Sequence, residues 1–122
     1  MALSDRIPYQ AIIDRPKLKL PNGKRMAVWV CVNIEEWRIE GPMPRTVLSP
    51  PMGQPLLPDI PNWSWHEYGM RAGVWRQFKA LTDRNIRATV AINGNVCNSY
   101  PRVAGFAKEM GWEFMGHGFL QG

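Results

Sequence analysis

The stretch Met26-Ala27-Val28-Trp29-Val30-Cys31-Val32 is unbroken apolar and runs straight into Asn33-Ile34-Glu35-Glu36-Trp37. The apolar part is rich in β-branched residues and too short for a helix buried on all sides. It reads as a central strand of a sheet covered on both faces. Ile86-Arg87-Ala88-Thr89-Val90-Ala91-Ile92 repeats the pattern, and Trp112-Glu113-Phe114-Met115 gives a shorter third strand.

Helices fill the intervals. Ser64-Trp65-His66-Glu67 has the S-x-x-E capping-box pattern, which predicts a helix starting at Ser64 and stopping near Asn85. Met70, Val74, Phe78 and Leu81 fall on one stripe of that helix. A second helix is expected from Ser99 to Met110, with Pro101 in the first turn and Gly111 as the stop. Its inner stripe would be Val103, Phe106, Ala107 and Met110, and Gly105 in its interior has no evident purpose. Residues 42–61 hold seven prolines, which exclude helix and central strand there. So long a loop, with Trp63 and Trp65 at its end, is expected to form a wall or lid. The predicted fold class is α/β: three strands and two helices, parallel with right-handed crossovers.

The whole chain has 122 residues, 45% hydrophobic and 20% charged, which fits a single folded unit. Its net charge is +5, but residues 1–25 carry six basic and two acidic groups, so the excess belongs to a basic N-terminal arm. Nucleic acid is therefore not an expected partner. No apolar run reaches the roughly 18–20 residues of a membrane span, so no membrane is expected. The opening MALSDRIPYQ has no secretory core, and Cys31 and Cys97 form no CxxC. A cytoplasmic protein with two buried thiols is the expectation.

Ligands of parallel α/β sheets bind outside the carboxyl ends of the strands. There the three strands end in Asn33-Ile34-Glu35-Glu36-Trp37, Asn93-Gly94-Asn95 and Gly116-His117-Gly118. Taken singly, each has an ordinary explanation: a solvated Glu-Glu pair, a structural histidine, an Asn-Gly turn. Together they bring carboxylates, amides and an imidazole to one face. If both carboxylates turn inward they repel, which suits one of them to acid–base work on a water. His117 between glycines is suited to a metal or to a developing oxyanion. The combination points to hydrolysis at a carbonyl.

Val30-Cys31-Val32-Asn33-Ile34-Glu35-Glu36-Trp37 resembles the first motif of the polysaccharide deacetylase (NodB-homology) superfamily. Gly111-Trp112-Glu113-Phe114-Met115-Gly116-His117-Gly118 resembles the stretch leading into its second motif. Tyr68-Gly69-Met70-Arg71 and Ile86-Arg87-Ala88-Thr89-Val90-Ala91 resemble the helix start and second strand between them. The resemblance implies a distorted seven-stranded (β/α) barrel that hydrolyses amide carbon–nitrogen bonds. Metal-dependent members have an Asp-Asp pair and two histidines four apart. Here the pair is Glu35-Glu36, and Gln121 stands four after His117. Both departures resemble the allantoinase-like and cyclic-imide-hydrolase-like branch, whose substrates would be small ureides or imides rather than glycans.

Carried over, Glu35 and His117 would be catalytic, with Glu35 the base. Glu36, Trp37 and Asn93 would line the substrate. The cofactor stays open between none and a divalent metal such as zinc, held by Glu36 and His117. Such a barrel needs about 200–250 residues, so residues 26–122 would be its truncated N-terminal part. Alone it would be inactive unless a complementary C-terminal fragment or self-association covers the open sheet edge. The substrate would be a small amide or imide, or an acylated sugar. The reading of another class is a non-catalytic binding or assembly module that uses its basic N-terminal arm.

Overall fold

A computed structural model of the chain describes residues 6–121. Position 122 and residues 1–5 of the expected basic arm lie outside the described residues. Residues 6–29 are exposed almost throughout and carry two single turns, Ile12–Asp14 and Pro21–Gly23.

Three strands form one parallel sheet in the order β1-β2-β3: β1 (Cys31–Ile34), β2 (Thr89–Ile92) and β3 (Glu113–Gly116). Between β1 and β2 run α1 (Ile60–Tyr68), a π-helical turn (Gly69–Gly73) and α2 (Val74–Thr82). Between β2 and β3 run α3 (Val96–Ser99) and α4 (Pro101–Glu109). The class is mixed α/β with parallel strands, as the alternation of apolar runs and helical stripes requires.

The core lies between the helices and one sheet face. Val32 and Ile34 of β1 and Val90 and Ile92 of β2 meet Met70, Val74 and Phe78 from the first helical stretch. Val103 and Ala107 of α4 close the same cluster with Trp112. Phe78 stacks on Phe106 at 4.9 Å and meets the edge of Trp112 at 5.1 Å. Strand parity turns Cys31, Asn33, Thr89 and Ala91 to the other face. The helices of the core cluster lie on the opposite face, yet Thr89 and Ala91 are buried. On the Thr89 face Trp29 Nε1 donates to Thr89 Oγ1 at 2.8 Å, and that hydroxyl donates to Glu113 at 2.6 Å.

Several boundaries differ from expectation, each for a local reason. The first strand begins at Cys31 rather than Met26. Continuing the register upstream would pair Ala27 with Asn85, where the chain turns with φ at 55°. Met26, Val28 and Trp29 are therefore exposed. The first helix starts at Ile60 rather than Ser64, because Asp59 accepts the Asn62 N–H at 3.1 Å and Pro61 occupies the first turn. Trp63 and Trp65 thus stand on α1 instead of the loop. The second helix is broken at Tyr100, which precedes Pro101 and is held out of helical geometry at φ −133°, ψ 57°. Ser99 is not a cap; its hydroxyl goes elsewhere. Met110 is exposed rather than part of the inner stripe, while Gly111, at φ 65°, ends the helix as expected. Cys31 and Cys97 are free and exposed rather than buried, Cys31 because parity turns it away from the core cluster. Among the described residues no helix is long and apolar enough to cross a membrane.

Candidate functional site

The sheet ladder continues past the carboxyl ends of its strands. Asn93 N donates to the Ile34 carbonyl at 3.1 Å, and His117 N donates to the Ile92 carbonyl at 3.0 Å. The register that aligns Asn33, Ala91 and Met115 therefore brings Glu35, Asn93 and His117 level two residues later. Glu35 Oε1 lies 3.3 Å from His117 Nε2, and both side chains keep partial access to solvent.

Glu36 takes another direction. Its carboxylate accepts from Asn95 Nδ2 at 3.0 and 3.1 Å and from the Ser99 hydroxyl at 2.7 Å. Parity persists through the strand end, so the two carboxylates do not share one position as the inward-turning alternative requires. Asn93 is fully buried. Its oxygen accepts the Glu36 N–H at 2.8 Å and its Nδ2 donates to the His117 carbonyl. With no exposed surface, it holds the ends of β1 and β3 together rather than facing a substrate.

Trp37 is also buried, and its indole stacks on the His66 imidazole with ring centroids 4.5 Å apart and planes 1° from parallel. Burial holds His66 below its ordinary pKa against the opposing charge of Glu67, the Glu35 carbonyl and the Glu35 and Glu36 carboxylates. Trp37 Nε1 and His66 Nε2 have no hydrogen-bond partner among the described residues.

Trp37 lines two cavities. One, about 550 Å³, is lined by Glu35, Arg45, Trp65, His66 and Tyr68 as well as Trp37. The other, about 430 Å³, has Glu36, Trp63, Asn95 and Tyr100 on its wall. Behind them Glu67 is buried, with the Tyr100 hydroxyl on one oxygen and Arg71 Nε 2.7 Å from the other. Desolvation first, then the bond to Glu67, raises the pKa of Tyr100 and keeps it protonated.

Sequence reasoning missed His66, Arg45 and Asn62. His66 had a signal: the stripe Phe78, Val74, Met70 extended back one turn lands on it. Arg45 and Asn62 had none, because their placement depends on how the loop returns to α1.

A metal on Glu36 and His117 does not fit this arrangement. Glu36 is satisfied by Asn95 and Ser99, His117 faces Glu35, and no group of three or more His, Cys, Asp or Glu side chains suited to a metal occurs among the described residues. No protein-family model, curated protein or solved structure matches the chain.

Proposed function

We propose that the chain belongs to a hydrolase of non-peptide carbon–nitrogen bonds, of the polysaccharide-deacetylase type and on its allantoinase-like side. The observation that carries this reading is the 3.3 Å approach of Glu35 Oε1 and His117 Nε2 at the strand ends, with Glu35 on the wall of a cavity of about 550 Å³. Such a volume suits a small amide or imide.

In this reading Glu35 accepts a proton from water while the water oxygen adds to the substrate carbonyl carbon. The carbonyl electron pair moves onto oxygen, and His117 donates to that oxyanion through Nε2. Collapse of the tetrahedral adduct breaks the carbon–nitrogen bond. The departing nitrogen takes the proton held on Glu35. Asn93 acts as a positioning residue, fixing the backbone at Glu36 and His117 from which the pair is presented.

The three parallel strands are consistent with the first part of a distorted seven-stranded barrel. β3 is an outer strand of the sheet, and Phe114, Met115 and Phe119 on and beside it are exposed. This supports completion by a complementary fragment or a second copy. The test is ring opening of cyclic imides and cyclic ureides and acetate release from N-acetyl sugars, assayed on the self-associated protein or with a complementary fragment added, with the oligomeric state recorded. Hydrolysis of none of them once self-association or a complementary fragment covers the open sheet edge contradicts the reading. Salt-sensitive retention on nucleic acid would favour a binding module instead.

A further inference from the structure

The larger cavity contains a cation for which the proposed hydrolysis has no use. Arg45 reaches it from the proline-rich loop, opposite in charge to Glu35 on the same wall. Among the described residues no carboxylate lies within ion-pair distance of Arg45; the pairs formed involve Arg71, Lys79, Arg102 and His117.

The loop that carries it is fixed in place. Asn62, fully buried in the first turn of α1, accepts the N–H groups of Val47 and Leu48 at 2.7 Å each. It returns its own N–H groups to the Leu48 carbonyl at 3.0 Å and to Asp59 at 2.8 Å. This clamp lies two residues beyond Arg45, and Pro44 restricts the backbone on its other side. Arg45 is thus held at the cavity by a backbone with few alternatives.

The rest of the wall is mostly aromatic and aliphatic, including Trp65, Tyr68, Met70 and Val74. The cavity therefore offers a carboxylate base at one place, a guanidinium at another, and apolar surface between. We propose that Arg45 selects substrates in which the hydrolysable amide is tethered to a carboxylate, the class of small N-acyl amino acids. The guanidinium fork matches a carboxylate with two parallel hydrogen bonds. A phosphate dianion is a poorer match, because one arginine is its only cation and Glu35 repels it.

This inference rests on the hydrolase reading for the role of Glu35, but the carboxylate site is tested separately by binding. N-Acetylglycine and its neutral primary amide are titrated into the protein as isolated, followed by the fluorescence of the tryptophans on the cavity wall. The acid is expected to bind at least about tenfold tighter than the amide, the scale of a charge-assisted pair. Arg45→Gln should weaken the acid by about tenfold and leave the amide unchanged, with circular dichroism reporting an intact fold. Arg45→Lys, which keeps the charge and loses the fork, should fall between.

Equal binding of acid and amide, no binding of the acid, or full affinity in Arg45→Gln would each overturn the proposal. Displacement of N-acetylglycine by an equal concentration of inorganic phosphate would overturn the carboxylate assignment. Arg45-dependent binding without turnover, once the open sheet edge is covered, leaves the anion site standing and removes the hydrolase. Turnover of neutral imides with no preference for the acid does the reverse.

Discussion

The side-chain oxygen of Asn93 accepts the backbone N–H of Glu36 at 2.8 Å, while its nitrogen donates to the carbonyl of His117. One buried amide just past the central strand thus fixes both outer strand ends, and with them the Glu35–His117 pair. Asn93→Ala leaves a donor and an acceptor without partners. It should destabilise the protein by about 2 kcal/mol or more, read as a lower urea midpoint. An unchanged midpoint would show that the amide is not a tie.

Phe78 is almost fully buried and packs against both Phe106 and Trp112. Its truncation in Phe78→Ala removes the centre of the aromatic cluster and leaves a cavity. A loss of about 3–5 kcal/mol is expected in denaturant unfolding, a large part of the stability of a small domain.

Gly105 lies inside α4, and a Cβ built there meets nothing within 4 Å. The sequence offers no reason for this glycine and the structure supplies none. Gly105→Ala should therefore stabilise the protein by about 0.4–1 kcal/mol through helix propensity, visible as a higher melting temperature.

Burial is the largest influence on His66 and holds its pKa below the ordinary 6.5. The unfolded chain then binds this proton more tightly than the folded one. The stability His66 contributes is complete above the unfolded value and is lost as the pH falls toward the folded one. His66→Phe, which keeps a ring against Trp37, should flatten the fall in stability between about pH 7 and pH 5. A variant with the wild-type slope would place the titration elsewhere.

The fold was legible where apolar runs and helical stripes coincide. Val90 and Ile92 flag the central strand, and Met70, Val74 and Phe78 the helix that covers it. Element ends were less legible, since Ser64 and Asp59 are both good caps, and Pro61 in the first turn together with the bond from Asn62 decides between them. Apolar character also failed to distinguish a paired strand from an unpaired lead-in, so Met26 and Val28 look like β1 but lack a partner. At the site, reading the strand ends sufficed to bring Glu35 and His117 to one face. It did not separate Glu36, whose direction depends on Asn95 and Ser99 arriving from the next connection. Arg45 and Asn62 were illegible for the same reason, because a loop's return path is set by tertiary contacts rather than by local pattern.

The central claim is that Glu35 activates the attacking water. Imide hydrolysis is compared between wild type and Glu35→Gln, an isosteric change, in the protein whose open sheet edge is covered by self-association or a complementary fragment. General-base catalysis predicts a rate lower by about 10²–10⁴-fold, with circular dichroism and melting temperature unchanged. A Glu35→Gln protein that hydrolyses the imide at the wild-type rate would contradict the account.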